Sequence, residues 1–331
     1  MNIIDDLARL IQGKGLRIVF PEGCDLRILS AASRLKQGGV LVPILLGDSA
    51  EIDQLARQNN LDISGIDIIN SATATNYSHY VDKFMERRGD KNTLEQAQTF
   101  LKDSNYFGTM MVYVGDADGM VSGASCATGD TILPALQIIK TKPGVSRASG
   151  AMLMTNAVGN AYIFADVAIN ISPSPDDLAG IAIESAKSAK MFGINPRVAM
   201  LSFSTGGSAS SPEVERVVEA TKIVRELAPG LTIDGELQFD AAFSESVGIK
   251  KMPQSDVAGK ANVFIFPELQ SGNIGYKIAQ YMGGFEALGP IIQGLNKPIN
   301  DLSRGCSEDD VYKLAIITAA QSLESMDNKT V

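Results

Sequence analysis

Arg17-Ile-Val-Phe-Pro-Glu-Gly23 is a short apolar run that ends in proline and glycine, and it decides the fold class. A helical pattern follows from Asp25 to Leu35, and a second unbroken apolar run follows as Val40-Leu-Val-Pro-Ile-Leu-Leu46. Continuous apolar strands separated by a helix are typical of a parallel sheet that is covered on both faces. The sequence therefore predicts an α/β protein with largely parallel sheets.

The alternation of apolar runs and helical patterns continues to the end of the chain. Met110-Met-Val-Tyr-Val114 is predicted to be a further strand, and residues 93–102 a helix. Thr141-Lys-Pro-Gly-Val-Ser-Arg-Ala-Ser-Gly150 is rich in Pro, Gly and Ser, and it predicts a domain boundary before a second alternating series. Because 331 residues exceed the roughly 250 to 300 at which single cores stop growing, two domains are expected.

Composition excludes several classes of protein. A net charge of −9 argues against nucleic-acid binding, because a polyanion would be repelled by the overall field. The three cysteines contain no CxxC pair, so neither a disulfide framework nor a zinc site is indicated. The N-terminal residues predict a short acidic amphipathic helix rather than a signal segment, and no run approaches the ~18 apolar residues of a membrane span. A cytoplasmic protein without a membrane anchor is expected.

Nucleophilic catalysis of the usual kinds also finds little support. His79 is the only histidine, which excludes most Ser/His/Asp and Cys/His arrangements, and it lies in a predicted helix start. Cys306 lies close to a polar turn, but a lone small cysteine in an apolar context is more often inert packing than a nucleophile. Both residues are interpreted as structural.

The most distinctive polar stretch is Lys297-Pro-Ile-Asn-Asp-Leu-Ser-Arg-Gly-Cys-Ser-Glu-Asp-Asp310, a turn between two apolar segments. Ser303 and Arg304 precede Gly305, and Ser307 with Asp310 has the spacing of a capping box before a buried helix at 311–323. A helix N-terminus favours bound anions, so the stretch is a candidate site for acyl or phosphoryl chemistry. Simple helix capping by Ser307 and Asp310, with Arg304 in a surface ion pair, explains the same residues.

A second candidate is Ser202-Phe-Ser-Thr-Gly-Gly-Ser-Ala-Ser-Ser-Pro-Glu213, which joins a predicted strand to a helix that begins at Pro212 with Ser211 as its cap. Hydroxyls and free amides can hold a phosphate without positive residues, although Gly/Ser turns are often purely structural. The predicted anion contacts are Ser204, Thr205, Gly206 and Ser208.

Other charged clusters carry weaker signals. Asp116 and Asp118 lie near Ser122 and Thr128, but two carboxylates without further ligands are explained by turn chemistry, and no metal is predicted. Arg87 and its neighbour Arg88 are typical of a solvated helix end, and a bulky anionic cofactor could also use them.

Together these segments resemble the phosphate acetyltransferase (phosphotransacetylase) family. The matching stretches, colinear over nearly the whole chain, are Pro21-Glu-Gly23, Tyr106-Phe-Gly-Thr-Met110, Asp116-Ala-Asp-Gly-Met-Val-Ser-Gly123, Pro134-Ala-Leu-Gln-Ile-Ile-Lys-Thr141, Ser202-Phe-Ser-Thr205, Asp234-Gly-Glu-Leu-Gln-Phe-Asp-Ala-Ala242, Phe266-Pro-Glu-Leu269, Gly272-Asn-Ile-Gly-Tyr-Lys277 and Pro298-Ile-Asn-Asp-Leu-Ser-Arg-Gly305.

The resemblance implies a fold and a reaction. It implies two α/β domains, residues 1–144 with 297–331 and residues 145–296, in an architecture similar to isocitrate and isopropylmalate dehydrogenases, with the active site in the cleft between them. It also implies a homodimer with no tightly bound cofactor, neither nicotinamide nor metal. The implied reaction is the reversible conversion of acetyl-CoA and phosphate into CoA and acetyl phosphate.

The resemblance also assigns roles to residues. Asp310 would take the proton of the CoA thiol, Ser303 would orient that thiol, and Arg304 would bind phosphate and stabilise charge on the acyl oxygen. Arg87 matches a position implicated in holding CoA. The further substrate contacts expected are Ser122, Asn273 and Lys277, which lie in the matching stretches, and Thr128, in the loop after Gly123, beside the four residues of the Ser/Gly loop.

One position departs from the family pattern, and three alternatives remain open. Leu133 stands where many members are expected to carry arginine, so a cationic contact is missing or comes from Arg147 or Lys277. A phosphate butyryltransferase would share fold and mechanism. A metal-dependent 2-hydroxy-acid dehydrogenase would need an aspartate cluster and a nucleotide site that the sequence lacks. A non-catalytic module is disfavoured by the intact Ser303, Arg304 and Asp310.

Overall fold

The computed structural model describes residues 3–327, and the side chains of residues 3–323. The described chain divides into two compact units. One, here called the continuous unit, is Pro143–Gly294, and the other, the discontinuous unit, is formed by the segments before and after it.

The discontinuous unit contains a five-stranded sheet whose described pairings are all parallel. Its strands are β1 (Arg17–Phe20), β2 (Val42–Leu46), β3 (Asp67–Ile69), β4 (Gly119–Ser122) and, after six strands of the other unit, β11 (Ile299–Asp301). They lie in the order β11-β4-β1-β2-β3. Asp301 is in register with Ser122, so β11 and β4 end side by side.

Helices surround this sheet, and polar residues determine where several of them begin. The helices are α1 (Ile3–Ile11), α2 (Leu26–Gln37), α3 (Ser49–Gln58), α4 (Tyr77–Arg88), α5 (Leu94–Phe100), α6 (Ser104–Val114), α7 (Thr128–Pro134) and α13 (Glu308–Asp327), with a 3-10 turn at Gly89–Lys91 and a π-helical turn at Ala135–Ile139. Asp25, Asp48 and Thr93 each accept a hydrogen bond from the first turn of the helix that follows. Fully buried Val311, Ala315 and neighbours along α13 confirm the predicted buried helix.

The strand predicted at Met110–Val114 is wrong, because these residues are the end of α6. Asp103 accepts hydrogen bonds from the amides of Asn105 and Tyr106 and so starts the helix upstream of the apolar run. The helix ends at Gly115, whose φ of +98° suits glycine. A short continuous apolar run does not distinguish helix from strand, since neither periodicity is visible in it.

The continuous unit contains a mixed six-stranded sheet. Its strands are β5 (Ser149–Thr155), β6 (Ala161–Ala165), β7 (Val198–Leu201), β8 (Ile233–Leu237), β9 (Val263–Ile265) and β10 (Glu286–Gln293), in the order β10-β5-β6-β9-β7-β8. The pairs from β6 to β8 are parallel, whereas β5 pairs antiparallel with both β10 and β6. The prediction of largely parallel sheets is therefore confirmed, with an antiparallel edge that the apolar runs did not indicate.

Five helices belong to this unit, namely α8 (Pro175–Met191), α9 (Pro212–Leu227), α10 (Phe239–Phe243), α11 (Glu245–Lys251) and α12 (Leu269–Tyr281). Ser211 caps α9 and Pro212 is its first residue, as predicted. The glycine-rich stretch that contains Asn273 lies inside α12, where Gly272 packs so closely that an added Cβ would lie 2.2 Å from the Asp166 carbonyl oxygen. Its glycines therefore serve helix packing.

Candidate active site

Ser303 and Arg304 lie in the exposed turn between β11 and α13. The amide of Leu302 donates to the carbonyl of Ser122 (2.7 Å), which extends the β11–β4 pairing to the start of the turn. The amide of Gly305 donates to the Ser303 hydroxyl oxygen (3.3 Å), and the Cys306 amide to the Ser303 carbonyl (2.9 Å). No carboxylate within 4 Å of the Arg304 guanidinium is found among the described side chains. The turn thus presents a hydroxyl and a cation to solvent.

Asp310 and Ser307 form the predicted capping box at the start of α13. The amide and the hydroxyl of Ser307 both donate to Oδ2 of Asp310 (2.8 Å each), and the Asp310 amide donates to the Ser307 hydroxyl (3.2 Å). Both bonds reach the same carboxylate oxygen, so Oδ1 of Asp310 accepts none from the described residues. Capping therefore does not exclude proton transfer, because one oxygen remains able to accept a proton.

Arg27, which the sequence analysis missed, binds the backbone of the turn. Its guanidinium donates to the carbonyls of Arg304 (2.8 Å) and Cys306 (3.1 Å), and also to the carbonyl of Ala124 (2.7 Å). Asp25 holds this guanidinium in place through a 2.7 Å ion pair, and that hydrogen bond keeps the pKa of Asp25 below its usual value despite burial. One side chain therefore links the turn that carries Arg304 to the loop that follows β4.

Glu22 organises that second loop. Its carboxylate accepts hydrogen bonds from the amides of Gly123, Ala124, Ser125 and Cys126 at 2.8–3.0 Å, and from the Ser125 hydroxyl at 2.7 Å. Burial alone would raise the pKa of Glu22, but the bonds from Ser125, Ala124 and Cys126 outweigh it and lower the pKa. Glu22 is therefore an anion that fills a nest of backbone amides.

Asp301, also missed, is the last residue of β11 and is buried beside this loop. Its side chain is 1% exposed, and neither carboxylate oxygen has a hydrogen-bond partner among the described residues. Burial raises the pKa of Asp301 to about 6, with Glu22 and Asp130 adding to the rise, while the hydroxyls of Thr128 and Thr131 lower it. The residue ends the strand from which the turn starts, two positions before Ser303.

Two predicted contacts of this unit differ in accessibility. Ser122 is fully buried, and its hydroxyl donates to Oδ1 of Asn105 (2.7 Å). Thr128 is exposed at the start of α7. Only the second can meet a ligand from solvent in the conformation described.

Arg87 lies in the last turn of α4. Its guanidinium donates to the carbonyls of Ile138 (2.6 Å) and Ile139 (3.2 Å), at the end of the π-helical turn. The charge of Arg87 is the largest cause of a lowered pKa at Lys140. The neighbourhood is therefore cationic in an otherwise acidic chain, which suits an anionic ligand better than a plain solvated face.

The Ser/Gly loop of the continuous unit is held from inside by Glu236, another residue that the sequence analysis missed. The Ser204 hydroxyl (2.9 Å) and the Gly207 amide (2.7 Å) donate to Oε1 of this buried carboxylate. The Gly206 amide donates to the Glu236 carbonyl (3.3 Å). Several donors predicted to hold a phosphate are thus already engaged.

The remaining members of that loop are also bonded within the protein. The Ser208 hydroxyl accepts from the Thr205 amide (3.0 Å) and lies 3.3 Å from the Ser204 hydroxyl. The Thr205 hydroxyl donates to Oε1 of Gln238 (3.2 Å). A phosphate bound here would have to replace some of these bonds.

Three further residues of the continuous unit were expected near substrate. The side-chain Nδ2 of Asn273 donates to the Val167 carbonyl (3.0 Å), which ties α12 to the segment after β6. Lys277 is exposed, with Nζ 5.8 Å from the centre of the Tyr276 ring. Arg147 forms a 3.2 Å ion pair with Asp177, so of the two replacements suggested for the cation absent at Leu133, Lys277 is the less engaged.

Of the two residues interpreted as structural, Cys306 is buried and His79 is exposed. Burial raises the pKa of Cys306 to about 11, which keeps the thiol protonated at neutral pH. His79 lies exposed on α4, its ring 6.1 Å from that of Tyr80. In the part of the chain that the structure describes, no group of three or more His, Cys, Asp or Glu side chains is arranged to hold a metal ion. None of the helices described between residues 3 and 327 has an apolar segment that could span a lipid bilayer.

Comparison with known proteins identifies the class of enzyme. The model of the phosphate acetyl/butaryl transferase family matches residues 2–319. A phosphate acetyltransferase of Bacillus subtilis is 58% identical over 97% of this chain and 99% of its own length. A solved phosphotransacetylase from Streptococcus pyogenes is 54% identical, covers 97% of this chain and 98% of its own, and superposes with a TM-score of 0.94.

The chain belongs to the phosphate acetyl/butaryl transferase family. It is accordingly an acyltransferase, and the predicted family and enzyme class are confirmed. A Salmonella typhimurium structure provisionally described as a 4-hydroxythreonine-4-phosphate dehydrogenase shares the fold at 15% identity, with a TM-score of 0.54 over 93% of this chain. The expected likeness to dehydrogenase architectures therefore holds at the level of the fold.

Proposed function

We propose that this chain is a phosphate acetyltransferase, which transfers an acetyl group reversibly between coenzyme A and inorganic phosphate. The observation that carries the proposal is the exposed Ser303–Arg304 turn beside Asp310, in a chain 58% identical to a protein named for this activity. Acetyl-CoA, phosphate and acetyl phosphate are the small-molecule reactants, and no tightly bound cofactor takes part.

In the proposed mechanism Asp310 is the general base. A free thiol of pKa near ~8.5 is only a few per cent thiolate at neutral pH, so a positioned base accelerates its attack by ~10² to 10⁴-fold. Oδ1 of Asp310 takes the thiol proton, the sulfur forms a bond to the acetyl carbon of acetyl phosphate, and the bond from that carbon to the phosphate oxygen breaks. In the reverse direction phosphate attacks the thioester and Asp310 returns the proton to sulfur.

Ser303 and Arg304 act on the other partners of the reaction. The Ser303 hydroxyl orients the thiol, and the Arg304 guanidinium binds phosphate and stabilises negative charge on the acyl oxygen. Arg27 fixes the backbone of Arg304 and Cys306, so the turn is preorganised before substrate arrives. Direct attack needs no enzyme-bound acyl group, which agrees with a protonated thiol at Cys306.

Further residues are proposed to contact CoA or the other substrates. Arg87 would hold CoA, supported by its cationic surroundings with Lys140. Thr128 and Lys277 are exposed and would contact substrate directly. For Ser122, Ser204, Thr205, Gly206, Ser208 and Asn273 the proposal requires that an existing hydrogen bond be exchanged for one to substrate.

We also propose that the two compact units are the two domains, with boundaries near residues 144 and 297, and that the protein acts in the cytoplasm as a homodimer. The dimer is supported by an apolar surface on the continuous unit. Tyr281 and Met282, at the end of α12, are 83% and 84% exposed, and Ile278 on the same helix is one of the residues that line an apolar pocket of about 410 Å³. Apolar patches of this kind mark sites of association.

A second copy of the chain is the proposed occupant of this surface. Light scattering on the purified protein tests it: the wild type is expected to have the mass of a dimer, and an Ile278→Asp variant that of a monomer. A Lys313→Ala change, on the other unit, is the matched control and is expected to leave the mass unchanged. A monomeric wild type would overturn the proposal.

The activity is tested by following thioester formation from acetyl phosphate and CoA, beside butyryl phosphate at equal concentration. Faster turnover of acetyl phosphate is expected, and an Arg304→Gln variant is expected to lose at least about tenfold in kcat/KM. Preference for butyryl phosphate would assign the chain to the butyryl branch of the family. Formation of NADH from a 2-hydroxy acid would contradict acyl transfer altogether.

A further inference from the structure

Asp301 is the carboxyl group that the proposed mechanism leaves unused. It is 1% exposed and neither oxygen has a hydrogen-bond partner among the described residues. The buried carboxylate of Asp166 shows the contrast, since it accepts bonds from the amides of Gly150, Ala168, Ile169 and Asn170. An unpaired buried charge is costly, so the environment of Asp301 favours a bound proton.

The fold brings Asp301 into close contact with the loop after β4. A Cβ added to Gly123 would lie 2.3 Å from Oδ1 of Asp301, and Gly123 has a φ of +105°. A larger residue at 123 would displace the carboxyl group. The close contact between Asp301 and this loop therefore depends on the β11–β4 pairing and on glycine at position 123.

The charged groups found to act on Asp301 are both carboxylates, while the Arg27 guanidinium, which contacts the same loop, is paired with Asp25. Glu22, after β1, and Asp130, on α7, are the carboxylates that act on it, and both disfavour its ionisation. From β4 it meets Ser122 and Gly123, and α13 faces β11 with the uncharged Thr318 and Gln321, which bind Asn300. Thr128 and Thr131 are the hydroxyls that act on its carboxylate, and each lowers its pKa.

Thr128 acts on the buried Asp301 carboxyl and is itself exposed to solvent. No hydrogen bond joins the two residues in the structure, but the Thr128 hydroxyl lowers the pKa of the Asp301 carboxyl, so an ionised Asp301 attracts the Thr128 proton. Once Asp301 is protonated its own O–H can donate to a threonine hydroxyl, and the Thr128 proton becomes available to a ligand outside. Thr128 is exposed, and Ser303 and Arg304 follow Asp301 by two and three residues.

The geometry points to Asp301 as a proton-linked positioning residue, which takes a proton from solvent when a substrate dianion binds beside Thr128 and Arg304 and thereby turns the Thr128 hydroxyl toward that anion. This inference rests on the proposed function only in placing the phosphate of substrate at that turn. Protonation removes a buried negative charge near the arriving dianion, so proton uptake and anion binding favour each other.

Calorimetry with sulfate tests the linkage without turnover. Sulfate stays a dianion through the range in which Asp301 titrates, whereas phosphate does not. Titrations near about pH 7 in two buffers of different ionisation enthalpy count the protons taken up on binding. The wild type is expected to take up a fraction of one proton and Asp301→Asn none. His79→Gln is the matched control, because it removes the only histidine and should leave the uptake intact.

The pH dependence of sulfate affinity gives an independent readout. Wild-type affinity should fall by up to about tenfold per pH unit above about pH 6, whereas Asp301→Asn should bind with an affinity that does not change with pH. Thr128→Val should weaken binding and flatten the pH dependence in a protein whose Asp301 is intact. If Asp301→Asn fails to fold, the number of protons taken up by the wild type and the pH dependence of sulfate affinity in Thr128→Val still test the inference.

Three results would overturn the inference: zero proton uptake by the wild type, an uptake that disappears in His79→Gln, or equal pH dependence in wild type and Asp301→Asn. Failure of the proposed function would look different, because it would appear as absent acetyl transfer in the wild type whatever the proton count. Sulfate binding with the expected uptake but no turnover would support the linkage and reject the reaction.

Discussion

The loop after β4 and the loop after β7 are built in the same way but carry different surroundings. Each follows a parallel strand, each is rich in Ser and Gly, and each has amides that donate to an internal carboxylate, Glu22 in one unit and Glu236 in the other. Glu22 uses both oxygens, for five donors, whereas Glu236 uses Oε1 for both of its side-chain bonds.

Glu22 and Glu236 differ in the residues that surround them, and this difference distinguishes the roles of the two loops. The loop at Glu22 is joined by Arg27 to the turn that carries Ser303 and Arg304, and the unpaired Asp301 lies against it. For the loop at Glu236, the hydrogen bonds are largely among its own residues. A polar Gly-rich loop is therefore not by itself evidence of an anion site. The groups left unsatisfied next to it are more informative.

The largest expected effect lies at the turn beside the first loop. Asp310→Asn should lower kcat by about 10²-fold, because the amide cannot accept the thiol proton, while its oxygen still accepts the Ser307 hydrogen bonds. Steady-state kinetics with circular dichroism as a check of folding measures this. Ser307→Ala is the control, expected to cost about 1 kcal/mol of stability through the lost cap with a small change in kcat. Near-normal turnover in Asp310→Asn would remove Asp310 from the mechanism.

Glu22→Gln should destabilise the protein by about 3 kcal/mol and lower turnover with it. A glutamine offers one acceptor oxygen where two are used, so its NH₂ group would face amide donors that then lose their partner. Urea unfolding at neutral pH provides the free energy of unfolding. A change below about 1 kcal/mol would show that the loop does not depend on the carboxylate.

Asp301→Asn should change stability in a pH-dependent manner. The pKa of Asp301 is raised in the folded protein to about 6, so the folded state favours the neutral form, and a penalty grows from about pH 4 to about pH 6 and persists above. The variant lacks this penalty. The free energy of unfolding of the variant minus that of wild type should therefore rise by roughly 2 to 3 kcal/mol from pH 4 to pH 8. Urea unfolding at both pH values measures this difference. A difference that is constant with pH would contradict the assigned shift.

The smallest expected effect is that of Glu236→Gln. The glutamine oxygen can still accept from Ser204 and Gly207, so the loss of stability should stay below about 1 kcal/mol. Removing a buried negative charge beside the loop should strengthen any anion held there, so the KM for phosphate is expected to fall. An unchanged KM would take Ser204, Thr205, Gly206 and Ser208 out of the proposed phosphate contacts and sharpen the contrast between the two loops.

The local features of the fold could be read from the chain because they depend on near neighbours. The β1–α2–β2 alternation, the Ser211–Pro212 helix start and the Ser307–Asp310 capping box each lie within a few residues of sequence. The strand predicted at Met110–Val114 failed for the complementary reason. A continuous apolar run lacks the periodicity that separates helix from strand, and the cap at Asp103 that starts the helix lies outside that run.

The sequence by itself determined the fold class, the family resemblance and the polar turn that carries Ser303, Arg304 and Asp310. Only the tertiary structure decided what supports that turn. Glu22 meets its amides 101 to 104 residues away, and Arg27 reaches Arg304 across 277 residues. The protonation state of a carboxyl group depends on its burial and on hydrogen-bond donors that can be distant in sequence. Neighbouring residues in the chain determine neither of these.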